Sequence, residues 1–116
     1  MERVKFDYDE ENDSLLLYRE GVKSKGGVEI GDFLIDMDMK MNKVTSLEIM
    51  NASKILALQL SEKINKTSLK NIKTVSLKTV HKDNSIYVLY GIVAVRNQEE
   101  IKEKSFITVP VRPHAY

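Results

Sequence analysis

The chain has 116 residues and a mass of 13.3 kDa, room for one domain, and its 42% apolar and 30% charged residues suit a folded globule rather than a disordered chain. It has no cysteine, which excludes disulfides, thiolate catalysis and zinc held by sulfur. The net charge of +1 is uneven: residues 1–60 carry 8 Lys and Arg against 12 Asp and Glu, and residues 61–116 carry 10 against 5.

Val4, Phe6 and Tyr8 alternate with Arg3, Lys5 and Asp7, the period of a half-buried strand. The run Asp9-Glu10-Glu11-Asn12-Asp13 supplies turn residues, and residues 15–18 resume an apolar strand, which predicts a hairpin. Gly21, Gly26 and Gly27 loosen the next connection. Val28 and Ile30 form a short strand, with Gly31-Asp32 as a kink or bulge before Phe33, Ile35 and Met37. Met41-Asn42-Lys43 turns the chain again, and Leu47 and Ile49 share one face of a further strand. The first 50 residues thus read as an antiparallel meander.

The period changes over residues 51–64. Ile55, Leu56, Leu60 and Ile64 fall near helical spacing, Asn51 or Ser53 can cap the first turn, and the apolar stripe suits packing flat across a sheet. Strand patterning returns over residues 74–81, Lys82-Asp83-Asn84 turns the chain, and residues 86–95 are apolar on both faces. A strand of that kind is covered on both sides, here by the helix on one and by another sheet or subunit on the other. Residues 96–104 read as a polar excursion with a turn of helix. Residues 106–111 form a last strand that Pro110 and Pro113 place at an edge or an end. The expected fold is α+β: an antiparallel β-meander, one central α-helix, then a second antiparallel β-meander, in a single domain over residues 1–116.

The first half resembles a small prokaryotic family known as domain of unknown function 2283. The resemblance rests on Tyr8-Asp9-Glu10-Glu11-Asn12-Asp13-Ser14-Leu15, on Ile35-Asp36-Met37-Asp38, and on Leu47-Glu48-Ile49-Met50-Asn51-Ala52-Ser53. It covers residues 4–56, and residues 57–116 lie outside it. Such sequences commonly carry a glycine shortly before the Glu-Ile pair; Ser46 stands there, which implies a strand without a bulge. The resemblance implies a β-meander leading into a helix, with no established activity and no roles for individual residues.

Three groups of side chains carry chemistry worth locating. Asp7, Asp9, Glu11 and Asp13 recur at intervals of two, an oxygen-rich set of the kind that holds calcium or magnesium. Counted from Asp7, the glycine and glutamate of an EF-hand loop are replaced by Asn12 and Tyr18, so that motif is absent. Lys66, Lys70, Lys73, Lys78 and Lys82, interleaved with Thr and Ser, form a basic stretch able to neutralise phosphates in a salt-sensitive way. Tyr87, Leu89, Val93 and Val95 occupy one face of the doubly apolar strand, opposite Ile86, Val88, Ile92 and Ala94, and surplus apolar area there favours a homodimer.

Neither His81 nor His114 has a partner at ligand spacing, and there is no nucleophile elbow and no phosphate loop. No apolar run approaches the roughly 20 residues that span a bilayer, and the N-terminus lacks the apolar core of a signal peptide. The sequence therefore reads as a cytoplasmic, non-enzymatic interaction or regulatory module without a cofactor. It is expected to pair as a homodimer and to meet a protein partner. Nucleic-acid binding through the lysines and cation binding through the acidic hairpin are the alternatives.

Overall fold

A computed structural model describes residues 3–22, 27–38 and 43–110, apart from the side chain of Pro110. Gly26, Met41, Asn42, Pro113 and His114, each singled out in the sequence, lie outside the described residues. The fold is α+β, built from two antiparallel sheets, one main helix and a second single-turn helix.

The first sheet contains β1 (Val4–Asp9), β2 (Ser14–Arg19), β3 (Gly27–Ile30), β4 (Phe33–Asp38) and β5 (Lys43–Ile49). Its order is β1-β2-β5-β4-β3, so β5 lies between β2 and β4 and the sheet departs from a simple meander. The register shows why: Leu15 lies opposite Ile49 and Leu17 opposite Leu47, which sets the most apolar residues of two strands side by side at the centre. The more polar β1 and the four-residue β3 take the edges.

Gly31-Asp32 is a full reversal rather than a kink. Ile30 pairs with Phe33, and Gly31 takes φ 57°, which costs glycine nothing. The bulge lies elsewhere, between the pairs Asp36–Ser46 and Met37–Val44, and leaves Thr45 as the additional residue of β5. The strand is therefore bulged although Ser46 replaces glycine, because only bulges with a left-handed first residue need one. Both Val44 and Thr45 are buried at this point.

The second sheet is a meander of β6 (Ile72–Lys82), β7 (Ser85–Arg96) and β8 (Glu99–Pro110), in the order β6-β7-β8. The polar stretch read as an excursion with a helical turn is in fact a two-residue turn and the first half of β8. Asn97 and Gln98 take φ 51° and 66°, whose twist suits a tight hairpin, and Arg96 pairs directly with Glu99. Polar residues dominate there because one face of β8 meets solvent.

Helix α1 (Ala52–Gln59) is shorter than its apolar spacing predicts. It buries only Ala52 and Leu56, and Leu58 is 84% exposed, so it does not spread across a sheet. A second helix, α2 (Lys66–Leu69), follows where a loop was expected. Its capping box is complete: the Asn65 side chain accepts from the Ser68 amide at 2.9 Å, and the Ser68 hydroxyl accepts from the Asn65 amide at 2.8 Å.

The core gathers the inner residues of both sheets. Leu15, Leu17, Ile35, Leu47 and Ile49 of the first join Ile86, Val88, Tyr90, Ile92 and Ala94 of the second. The rings of Phe33 and Tyr90 meet with centroids 6.2 Å apart. The inner face of β7 is thus covered chiefly by the first sheet, where the sequence suggested the helix; two turns of helix bury too little to do it. Polar links reinforce the contact. Arg19, held within the first sheet by an Nε bond to the Val44 carbonyl at 3.0 Å, donates from Nη2 across to the Leu77 carbonyl at 2.6 Å, and the Val44 amide donates across to the Thr79 hydroxyl at 3.0 Å.

Candidate functional site

The turn after β1 leads to a polar latch. Asp13, at φ 50°, directs its carboxylate toward the start of α1, where it accepts the Ser53 hydroxyl at 2.6 Å and the Ser53 amide at 3.1 Å. The Tyr8 hydroxyl donates to the same carboxylate at 2.6 Å. The Asp13 carbonyl accepts the Ala52 amide at 2.8 Å, so one residue satisfies two of the free amides that open a helix.

Asn51 does not cap the helix with its side chain. It sits at φ 51° and donates instead to Asp32 at 3.2 Å, while the Met50 amide donates to the Asp32 carbonyl at 2.8 Å. Ser53 serves as a donor and not as the cap. Beside the latch the Ser14 hydroxyl donates to Glu48 at 2.9 Å.

Burial pushes the Asp13 carboxyl upward, but the hydrogen bonds from Ser53 and Tyr8 outweigh it and hold the group below the usual carboxylate range. Burial and the adjoining Asp13 push the Tyr8 phenol well above its ordinary value. An ionised acceptor and a firmly protonated donor make a structural clasp. Neither group is poised to exchange a proton near neutrality.

The four acidic residues read as a cation set are not brought together. Asp7 is exposed on β1, Glu11 lies exposed in the turn, and the Asp9 carboxylate accepts from the Asn12 side chain at 2.7 Å. Asp13 is held in the latch. Among the described residues no three His, Asp or Glu side chains converge as they would around a metal ion.

The five lysines divide into two groups. Lys66 and Lys70 belong to α2 and its end, beside the acidic turn: Lys70 pairs with Glu10 at 3.0 Å, and the charge of Lys66 helps to lower Asp13. Lys73 pairs with Glu100 at 2.9 Å, while Lys78 and Lys82 are exposed along β6. The acidic and basic halves of the sequence therefore meet within the molecule.

Tyr87, Leu89, Val93 and Val95 do share the outward face of β7, because the inner face takes Ile86, Val88, Tyr90, Ile92 and Ala94. Cross-strand neighbours enlarge this face. Val80 lies opposite Tyr87 and Phe106 opposite Leu89, with the Tyr87 and Phe106 rings edge-on at 6.1 Å. Val80 is 36% exposed, Leu89 38% and Phe106 59%. Gly91 marks the boundary of this patch: a Cβ there would lie 2.6 Å from the Ser76 hydroxyl and 3.1 Å from the Lys104 stem, which close over the gap. Beyond it Val93 and Val95 are half-buried among Lys102, Glu100 and Thr74. Sequence reasoning missed Val80 and Phe106, since their place depends on strand register.

The latch draws together Tyr8, Asp13, Ala52 and Ser53, all positions on which the sequence resemblance rests. Residues 5–53 match the family described as Protein of unknown function (DUF2283). The matched segment ends at Ser53, so the latch ties its end back to its first hairpin. The sheet β6-β7-β8, with its outward apolar face, lies beyond the segment. An uncharacterised protein of Methanocaldococcus jannaschii is 53% identical over 53 residues, 46% of this chain and 45% of that relative. The similarity therefore spans less than half the length of the curated relative. No solved structure matches the chain. Among the described residues no helix is long and apolar enough to cross a membrane.

Proposed function

We propose that the chain is a non-enzymatic interaction module of the cytoplasm, folded as one domain over residues 1–116 and paired with a second copy. The outward face of β6-β7-β8 carries the contact. The observation behind this reading is the exposed apolar patch of Val80, Leu89 and Phe106 around Tyr87, on a sheet whose other face is already packed. Removing such a surface from water gains roughly 25 cal/mol per Å², and a two-fold axis lets each patch cover its own copy. The division of the lysines into two groups, two of the five held by carboxylates, supports this reading over one based on nucleic acid. The engaged carboxylates of Asp9 and Asp13 support it over cation binding.

Sedimentation equilibrium over a concentration series tests the pairing. The expected result is twice the 13.3 kDa chain mass, falling toward the monomer on dilution. A monomer at every concentration contradicts it.

A further inference from the structure

The outward face of β6-β7-β8 dips where its middle strand lacks a side chain. Gly91 forms the floor of the depression, and Thr74, Ser76, Val93, Lys102 and Lys104 stand around it, bounding about 320 Å³ open to solvent. Strand register places them there. Ser76 and Lys104 lie opposite Gly91 on the flanking strands, and Thr74 and Lys102 lie opposite Val93, so these side chains share one face of the sheet. The Ser76 hydroxyl and the Lys104 stem lean toward the space a Cβ of Gly91 would fill. A glycine within a strand is a place where a ligand can come close to the backbone.

The side chains of the lining offer donors and positive charge. The hydroxyls of Thr74 and Ser76 make no hydrogen bond, and Lys102 and Lys104 make no ion pair, among the described residues. All four residues are exposed. The two lysines are two positions apart on β8, about 7 Å at the backbone, and their flexible stems let both ammonium groups converge on one anion. Glu103 borders the floor with its carbonyl, while its side chain belongs to the other face, opposite Ile92. Glu100, the one carboxylate that these three strands carry on this face, is held by Lys73 at 2.9 Å.

We infer that this depression binds a small anion carrying two or more linked phosphate groups. Lys102 and Lys104 supply the charge, and the hydroxyls of Ser76 and Thr74 donate to the remaining oxygens. Phosphate oxygens point in several directions and suit separate point donors, whereas a planar carboxylate is matched best by a guanidinium fork, which the lining lacks. A long polyanion fits less well: along this face of β8 the order is Glu100, Lys102, Lys104, Phe106, so a carboxylate closes one end of the lysine pair and the apolar patch the other. The inference does not rest on pairing of two copies, because the depression begins at Gly91, where that patch ends.

The test is isothermal titration calorimetry of the full chain with inorganic triphosphate at low salt. One site per chain is expected, with an affinity that falls as sodium chloride is raised. Lys102→Gln with Lys104→Gln should weaken binding at least about tenfold, and Ser76→Ala, which removes a donor and no charge, at least about threefold. Lys54→Gln, at an exposed lysine of α1, should leave it unchanged, and citrate should bind at least about tenfold more weakly than triphosphate. Because the substituted positions are exposed, the variants should melt with the wild type, which separates a lost site from a lost fold. The inference is overturned if triphosphate binding does not saturate, if the lysine pair or Ser76 proves dispensable, if Lys54→Gln costs as much as the double variant, if citrate binds equally well, or if a thymidine oligonucleotide of equal charge binds more tightly.

Discussion

The hydroxyl of Ser53 donates to the carboxylate of Asp13 at 2.6 Å, joining positions 40 residues apart. This bond, with the Ser53 amide and the Tyr8 hydroxyl on the same carboxylate, fixes the entry to α1 from outside the helix. Asp13→Ala should cost about 2 kcal/mol of stability, the sum expected for a lost cap and a lost charge-assisted bond in a half-buried site. Ser53→Ala and Tyr8→Phe should each cost about 1 kcal/mol. Urea unfolding measures all three, and a loss within ±0.3 kcal/mol for Asp13→Ala would show that the latch does not hold the fold.

The same carboxylate sets an acid limit. Its folded pKa is lowered from 3.8, so its contribution is complete above that value and is lost as pH falls through the folded value. The stability difference between the wild type and Asp13→Asn should therefore be constant from neutrality to about pH 5 and shrink below about pH 4. Denaturation midpoints of the two proteins across that range check it. A constant difference down to pH 3 would assign the lowered pKa no role, the half-buried site being where solvent screening already reduces the effect.

Tyr90 sets the alkaline limit. Burial pushes its phenol up to about 12, against a weaker opposing bond from Ser105, and its hydroxyl donates to Gln59 Oε1 at 2.6 Å. A raised folded pKa gives stability that is complete below the ordinary value of 10.0 and is lost as pH climbs toward the folded one. Ultraviolet titration should show phenolate still forming above pH 10, and Tyr90→Phe should reduce that late step by one phenol, leaving the one from Tyr8. The same substitution should cost about 1 kcal/mol at neutral pH, for the lost bond to α1.

Helix α1 offers a contrast within a single turn. Leu56 is wholly buried and Leu58 is 84% exposed. Leu56→Ala should destabilise by about 3 kcal/mol, and Leu58→Lys by less than about 0.5 kcal/mol. A large loss at Leu58 would mean that this side chain is covered after all, by a partner or a second copy.

Much of the fold is legible in the sequence where one face is buried. The alternation in β1 and β4 marks both the strands and the side that packs, while β7 reads as apolar on both faces and only the structure makes Ile86, Val88, Ile92 and Ala94 its inner one. Strand order is not legible, because β3 and β5 alternate equally well and only pairing across the sheet places Leu47 beside Leu17. The first half of β8 escapes notice because Glu100, Lys102 and Lys104 occupy its solvent side while Glu99 and Glu103 interrupt the face that carries Ile101 and Ile107. Helix α2 is too short for a stripe; its one signal is the pair Asn65 and Ser68 at capping-box spacing. The latch is visible as a motif ending at Ser53, but its bonds are not, since nothing local joins Asp13 to a helix that begins 39 residues later. In the outward patch, Leu89 is readable from period two, whereas Phe106 enters only through the register of β7 with β8.

The central claim is that this patch pairs two copies, and light scattering behind a sizing column tests it most directly. The wild type should elute with a dimer mass. Leu89→Lys and Phe106→Lys should each elute as folded monomers with unchanged circular dichroism, because a charge set into the patch opposes its burial. Leu58→Lys, at a more exposed leucine on α1 and outside the patch, should remain a dimer. A wild-type monomer, or a dimer that survives both patch substitutions, would contradict the account.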